Sequence, residues 1–365
     1  MVTTLLEIAV GFSLLLTLHS FINVRFFFLA ADVSKKSSSS FDILIPARNE
    51  ENAIEACIKS TISQLDDGKS RIFVFDDNST DETPRILESF AEGDITILTN
   101  NQNPPEGWLG KNWACDQLAQ ESSAEYLVFL DADVILSPAV VSPVISLMQL
   151  HSLDLVSPYP MQISKGILGH LIQPLLQWSW LTTVPMSIAR KNARPSMAVA
   201  NGQFLVVRRE AYFACGGHSA VKDKVLDDIE LLRLLLAHGF SGGVIDGTHL
   251  ATCTMYQDNQ ELTDGYSKSL WCAFGGPLGS IATIGFLLFV YVSPLAGLFT
   301  GHTNLAILGW TSGFFGRIIT GHKTGQLKII SALSHPISII CFTYLNLVSW
   351  WRQAHGELAW KGRKL

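Results

Sequence analysis

Three acidic clusters in the middle of this chain stand where apolar runs give way to a loop or a helix start: Asp76-Asp77, Asp131-Ala132-Asp133 and Asp227-Asp228. Carboxylates so placed bind a cation or a sugar, or take a proton. The first cluster follows Arg71-Ile72-Phe73-Val74-Phe75 and the second follows Tyr126-Leu127-Val128-Phe129-Leu130. Open α/β sheets keep their ligands at such carboxyl ends of strands, so the pattern points to an enzyme acting on a phosphorylated sugar. Lys111, in Gly107-Trp108-Leu109-Gly110-Lys111-Asn112, opens a helix behind a glycine-containing loop. A cation and backbone N–H groups at a helix start suit a phosphate, and an ordinary surface lysine is the plainer alternative.

The elements that must position these groups alternate. Residues 41–46, 71–75, 94–99 and 125–130 read as strands, and 51–64, 84–92 and 110–120 as helices. Strands separated by helices of this length predict parallel βαβ units and an α/β nucleotide-binding half domain over about residues 41–160. No internal repeat interrupts the pattern.

Composition places this domain beside a membrane. The chain has 365 residues, 48% hydrophobic and only 16% charged, rich in apolar surface for a soluble protein. The excess sits at the ends: residues 8–24, 271–316 and 329–351 carry no Lys, Arg, Asp or Glu. A spanning helix needs about 20 mostly apolar residues, so 271–316 has room for two spans and 329–351 for one more. Buried core helices are the plainer reading, and runs of this length are uncommon in soluble cores. A cleaved signal peptide fits poorly, because no Lys or Arg precedes residue 25. Arg25, Lys35 and Lys36 follow the first apolar stretch, which by the positive-inside tendency puts the middle of the chain in the cytoplasm. Basic residues flank 329–351 on both sides; a re-entrant segment broken at His335-Pro336, or a tail crossing despite its charge, would satisfy them, with a cytoplasmic tail preferred.

Other classes are disfavoured. Cys57, Cys115, Cys215, Cys253, Cys272 and Cys341 form no CxxC pair and read as free thiols. A net charge of -6 and no basic stripe with interleaved aromatics argue against nucleic acid. Ser37 to Ser40 reads as a flexible linker. Residues 166–190, with an apolar body, two tryptophans and Arg190-Lys191 at the end, suit a helix lying in a membrane interface, with a buried core helix as the rival.

The strand-end motifs are Ile45-Pro46-Ala47-Arg48-Asn49-Glu50, Phe75-Asp76-Asp77-Asn78-Ser79-Thr80-Asp81 and Leu130-Asp131-Ala132-Asp133, with Leu226-Asp227-Asp228 downstream. In order and spacing, across about residues 41–275, they resemble the family 2 glycosyltransferases. The resemblance implies an α/β GT-A domain with a mostly parallel sheet, its nucleotide-binding half at 41–160 and its acceptor half at 161–275. Around it would stand an N-terminal anchor over 1–31, transmembrane helices within 279–351 and a basic tail at 352–365. It implies that Asp133, with Asp131, holds Mg²⁺ or Mn²⁺ against a nucleotide-sugar pyrophosphate, as hard cations demand of oxygen ligands. Asp77 with Asp76 would contact the nucleotide, Pro46, Arg48 and Glu50 would line the base and ribose pocket, and Lys111 would meet phosphate. Asp228 would be the base of an inverting transfer, Asp227 standing where the family more often has Glu; a helix N-cap also explains an aspartate there. Gly202 and Gln203 would line the acceptor side.

One departure matters. Where many membrane-bound members carry Gln or Arg, two spacers and Arg-Trp, this chain has Lys268-Ser269-Leu270-Trp271. Lys268 would supply the cation and Trp271 the aromatic surface, unless Lys268 is only an interfacial lysine. The change favours single addition over polymerisation. The Pro104 to Lys111 stretch and Trp360-Lys361-Gly362-Arg363 resemble the branch that includes hopanoid-associated and carotenoid-acid (diaponeurosporenoate) glycosyltransferases. That branch implies a UDP-sugar or related donor and a lipid acceptor in the bilayer. A polysaccharide or cell-wall glycan synthase is the same-family alternative. A sugar nucleotidyltransferase lacks its Gly-rich, Arg-containing loop here, and a transporter or non-catalytic scaffold leaves the acidic clusters without purpose.

Overall fold

The computed structural model describes every residue except 28–36, 66–67, 91–94, 101, 192–193, 362 and 365. Lys35-Lys36, the end of the expected anchor, Asp94 of a predicted strand and Gly362 of the closing motif lie outside the described residues. The chain forms two compact units: Phe27–Met161 with Ile188–Thr254, and Met1–Phe26 with Gln162–Ser187 and Met255–Leu365.

The first unit is built on an eight-stranded sheet: β1 (Phe41–Ala47), β2 (Arg71–Asp77), β3 (Ile95–Asn100), β4 (Tyr126–Leu130), β5 (Val134–Leu136), β6 (Leu155–Ser164), β7 (Phe204–Arg208) and β8 (Gly242–Tyr256), in the order β3-β2-β1-β4-β7-β6-β8-β5. Strands β3, β2, β1 and β4 are parallel. Beyond them β7 is antiparallel to β4 and β6, and β5 to β8. The sheet is therefore mixed, its parallel half coinciding with the predicted βαβ alternation. The predicted helices appear as Ile54–Ile62, Thr83–Glu88 and Gly110–Glu121. β1 and β4 are apolar runs buried almost throughout, as strands covered on both faces must be. β1 is central, with β2 on one side and β4 on the other, so the chain reverses its direction of winding between β1 and β4. That reversal opens a crevice at the strands' carboxyl ends.

Asp42 is the polar exception inside β1. Fully buried, it accepts from the Arg71 backbone N–H (3.0 Å), the Arg71 guanidinium (3.3 Å) and the Ser122 hydroxyl (2.7 Å). It thereby ties β1 to β2 and to the turn before β4. Ser37 to Ser40 is not the loose linker expected. The Ser39 hydroxyl accepts from Gln149 Nε2 (3.0 Å), and the Ser40 hydroxyl from the Glu125 N–H (3.1 Å). These small hydroxyl side chains are tied to segments remote in sequence.

The second unit is helical. Two of its helices, Val2–Asn23 and Pro277–Leu298, are long and apolar enough to cross a membrane. The helix is interrupted at Ser334, beside His335-Pro336, between Ile329–Leu333 and His335–Ala354. Residues 162–187 and 255–275, grouped by sequence with the acceptor half, cluster with these helices. The helix Gly166–Thr183 is not a surface-lying helix with one apolar face. It buries Ile172, Leu175, Trp178 and Leu181 and also Gln173, Gln177 and Thr182. Asn23 Nδ2 donates to the Leu181 and Val184 carbonyls (2.8 and 2.7 Å), and Gln173 Nε2 donates to Gln162 Oε1 (2.5 Å). Extensive burial and the Gln173–Gln162 hydrogen bond make it a packed helix.

Asp42→Ala should strand the Ser122 hydroxyl and the Arg71 N–H. A loss of about 1–3 kcal/mol is expected, read as a fall of several degrees in the thermal unfolding midpoint of the detergent-solubilised chain.

Candidate active site

The loops after β1 and β2 are laced together. Asn49 and Asn78 have positive φ (52° and 55°), a conformation that Asn tolerates better than most residues. The Asn49 N–H donates to Ser79 Oγ (3.0 Å), Thr80 N–H to Asn49 Oδ1 (2.8 Å) and Glu50 N–H to Thr83 Oγ1 (2.8 Å). Arg48 Nη1 donates to the carbonyls of Asp77 (2.5 Å) and Asn78 (3.2 Å). Asp76 accepts from the Ser79 N–H (3.2 Å). Pro46, Arg48, Glu50, Asp76 and Asp77 thus share one platform, and Arg48 acts there as a brace between its two loops.

Asp131 and Asp133 occupy the turn from β4 to β5. The Asp131 N–H donates to the Gln203 carbonyl (3.0 Å), and the Asp131 carbonyl accepts from Val134 (3.1 Å). Burial pushes the thiols of Cys57 and Cys253 well up, and the charges of Asp133, Asp131 and Glu50 push both further. Three carboxylates therefore act on the same small volume.

Lys111 begins the helix Gly110–Glu121, and its Nζ lies 2.8 Å from Asp131 Oδ1 and 3.9 Å from Asp227 Oδ2. Burial would lower its pKa, but Asp131 and then Asp227 outweigh burial and hold it well above the usual value, so Lys111 stays a cation. Asp227 and Asp228 open the helix Asp227–Ala237, where the dipole favours carboxylates. Asp228 Oδ2 accepts from the Gly202 N–H (2.7 Å) and Oδ1 from the Ile229 N–H (2.8 Å). Its pKa is pushed up to about 6 by desolvation and by neighbouring Asp227, against Lys111 and the two backbone donors. A carboxyl so tuned can take a proton near neutrality.

Pro46, Lys111, Asp131, Gly202, Asp227 and Asp228 line one pocket, joined by His218. The sequence reading missed His218, whose one signal was the Gly216-Gly217-His218 turn just upstream of the acidic pair. Gln203 lies next to Gly202, its Nε2 bonded to Cys253 Sγ (2.7 Å). Lys268 and Trp271 fall in the helical unit. There the Trp271 indole donates to the Lys268 carbonyl (3.0 Å), and the Trp271 N–H to Ser349 Oγ (2.9 Å).

Among the described residues no group of three or more His, Cys, Asp and Glu side chains could hold a metal by itself. Asp131 and Asp133 nevertheless fit a hard divalent cation, which takes one or two carboxylates and completes its shell with substrate phosphates and water. The donor set suits a metal that comes with a diphosphate.

A sheet that is parallel through its first four strands and antiparallel beyond, with its ionic pocket at the winding reversal, is that of a GT-A glycosyltransferase. The comparisons with known proteins carry this further: residues 42–214 match the Glycosyl transferase family 2 model. The chain is 28% identical to a 4,4'-diaponeurosporenoate glycosyltransferase of Staphylococcus aureus (strain bovine RF122 / ET3-1), across 92% of this chain and 91% of the relative. The enzyme of the same description from strain USA300 is 27% identical over the same shares. A mannosyltransferase of Pyrobaculum calidifontis, solved with GDP-Man and Mn²⁺, superposes with a TM-score of 0.54 at 16% identity, covering 98% of this chain and 100% of that one.

Mn²⁺ titrated alone should bind weakly, and adding UDP or GDP should tighten it by about tenfold or more, as measured by electron paramagnetic resonance of free Mn²⁺. Tight binding without nucleotide would refute the two-carboxylate reading.

Proposed function

We propose that this chain moves a single sugar from a nucleotide diphosphate sugar, UDP-linked by preference, to a lipid acceptor held in the bilayer, with inversion at the anomeric carbon. The convergence of Lys111, Asp131, Asp227 and Asp228 on one pocket carries the reading. The carotenoid-acid substrate in the names of the Staphylococcus relatives supports an isoprenoid acceptor, and the GDP-Man and Mn²⁺ of the Pyrobaculum enzyme agree with a nucleotide-sugar donor. The apolar helices support an integral-membrane location. Leu15 is 63% exposed, Leu278 84% and Ile281 70%, surface that water penalises and lipid does not. Arg25 after the first such helix favours a cytoplasmic catalytic unit.

In this mechanism the platform of Pro46, Arg48, Glu50, Asp76 and Asp77 receives base and ribose, and Lys111 meets the diphosphate as a fixed cation. Asp133 and Asp131 would hold the divalent cation, Mg²⁺ or Mn²⁺, which when bound neutralises phosphate charge. Asp228 takes the proton of an acceptor hydroxyl as the hydroxyl oxygen attacks the anomeric carbon and that carbon's bond to the diphosphate oxygen breaks, the nucleoside diphosphate leaving against Lys111; Asp227 keeps the affinity of Asp228 for that proton high. Gly202 holds the base by its N–H while leaving room on the acceptor side. Lys268 is assigned to the diphosphate and Trp271 to the acceptor side by the resemblance alone.

Membranes containing the protein, incubated with radiolabelled UDP-glucose and a lipid extract, should give a labelled lipid that EDTA abolishes. Label in a long polymer would instead identify a glycan synthase, and labelling that survives EDTA would remove the metal role of Asp133. Asp228→Asn should retain nucleotide binding and lower transfer to a hydroxyl by about 10²–10⁴; equal loss of both would make the residue structural. Transfer to a carboxylate acceptor, already ionised, should suffer much less. Because Asp228 must be unprotonated to work, hydroxyl transfer should fall as pH drops through about 6 and hold above it, as a pH–rate profile will show.

A further inference from the structure

Behind the acidic pair lies a polar assembly that this mechanism does not use. His218 is 3% exposed and Tyr212 fully buried. The Tyr212 oxygen accepts from the His218 backbone N–H (3.0 Å) and stands 2.8 Å from His218 Nδ1. With its oxygen already engaged by the N–H, the hydroxyl has its own hydrogen to give to Nδ1. Given in that direction, the bond selects the tautomer that carries hydrogen on Nε2. Nε2 in turn faces Asp227, 3.8 Å from Oδ2, beyond a hydrogen bond and within reach of one after a small shift. Phe129 packs its ring edge-on to the imidazole with centroids 4.8 Å apart, which restrains the ring plane. The chain turns tightly here. Gly217 has φ 55°, and a Cβ on it would lie 2.5 Å from the Tyr212 ring. Asp116 also feels His218, which opposes the rise that burial causes in its pKa.

We propose that Tyr212 and His218 form a positioning relay in which Tyr212 sets the imidazole tautomer and His218 Nε2–H holds the Asp227 carboxylate. Asp228 is thereby left as the proton acceptor of the pair. The geometry supports this because two adjacent carboxylates in one pocket repel, and each needs its own fixed donor. Asp228 has the Gly202 and Ile229 N–H groups. Asp227 has Lys111 at 3.9 Å on one side and His218 at 3.8 Å on the other. Lys111 is shared with Asp131 at 2.8 Å, and a diphosphate would draw on it as well, whereas His218 Nε2 faces Asp227 at 3.8 Å. His218 is thus a positioning residue that acts through Asp227.

The relay rests on the glycosyltransfer reading but not on the lipid acceptor, so its test uses donor hydrolysis, in which water replaces the acceptor. The full chain in detergent is assayed with UDP-glucose and GDP-mannose, using whichever donor the wild type cleaves, alongside UDP or GDP affinity and thermal unfolding. His218→Ala should lower kcat by about tenfold or more while nucleoside diphosphate affinity changes less than about threefold. His218→Gln, which keeps an N–H donor at similar reach, should recover most of the rate. Tyr212→Phe, which fills the same space and loses the tautomer-setting bond together with the acceptor of the His218 N–H, should fall between wild type and His218→Ala. The relay is refuted if folded His218→Ala keeps its kcat within about twofold, or if its nucleotide affinity falls in step with its rate. It is also refuted if Gln rescues no better than Ala. Should donor hydrolysis follow the relay while no lipid is ever labelled, the acceptor proposed above is wrong and the relay stands.

Discussion

The ion contact between Lys111 and Asp131 is the interaction on which the pocket depends. Asp131, Asp227 and Asp228 approach one another in a partly enclosed space, where water screens them poorly and repulsion is costly. Lys111 enters from the start of its helix and faces both sides of the cluster, 2.8 Å from Asp131 and 3.9 Å from Asp227. It can do so because the carboxylates in turn hold its proton against the cost of burial. The cation and the anions are therefore mutually necessary, and taking away either leaves charge in a partly enclosed pocket without its partner.

The sheet explains how the groups come together. β1 and β4 are parallel neighbours whose connections leave in opposite directions, so Pro46 and Asp131 emerge side by side at the same edge. The antiparallel strand β7 then brings Gly202 and Gln203 back to β4, and the Asp131 N–H bonds to the Gln203 carbonyl. The helix Asp227–Ala237 supplies the last wall. Parallel strands thus set out one side of the pocket, and an antiparallel return supplies the groups opposite. This division needs few side-chain contacts, because the backbone ladder fixes the register.

Much of this was legible in the chain itself. Asp131 and the Asp227-Asp228 pair, which line the pocket, were readable as candidates because aspartate at the end of an apolar run is a local pattern, legible without knowing the tertiary fold. Arg48 was read as a nucleotide contact, and its guanidinium is seen bracing two carbonyls, a partnership set by loop geometry that no sequence spacing encodes. Ser37 to Ser40 looked like a linker by composition, yet the partners that restrain it, Gln149 and Glu125, are remote in sequence. The helix Gly166–Thr183 looked interfacial because its apolar residues are plain to see, whereas the neighbours that satisfy Gln173 and Asn23 are not. His218 and Tyr212 escaped notice for the same reason: a histidine after two glycines has no signature until the fold sets it behind Asp227.

The close approach at Gly217 reaches beyond this one molecule. A side chain at 217 and the ring at 212 compete for the same space, so neither position is free to vary alone. In lineages descended from a common ancestor, a bulkier residue at 217 should be tolerated only where 212 has become smaller. The histidine at 218, having lost its hydroxyl partner, should then drift as well. The turn and the aromatic core behind it would thus be inherited as a single unit.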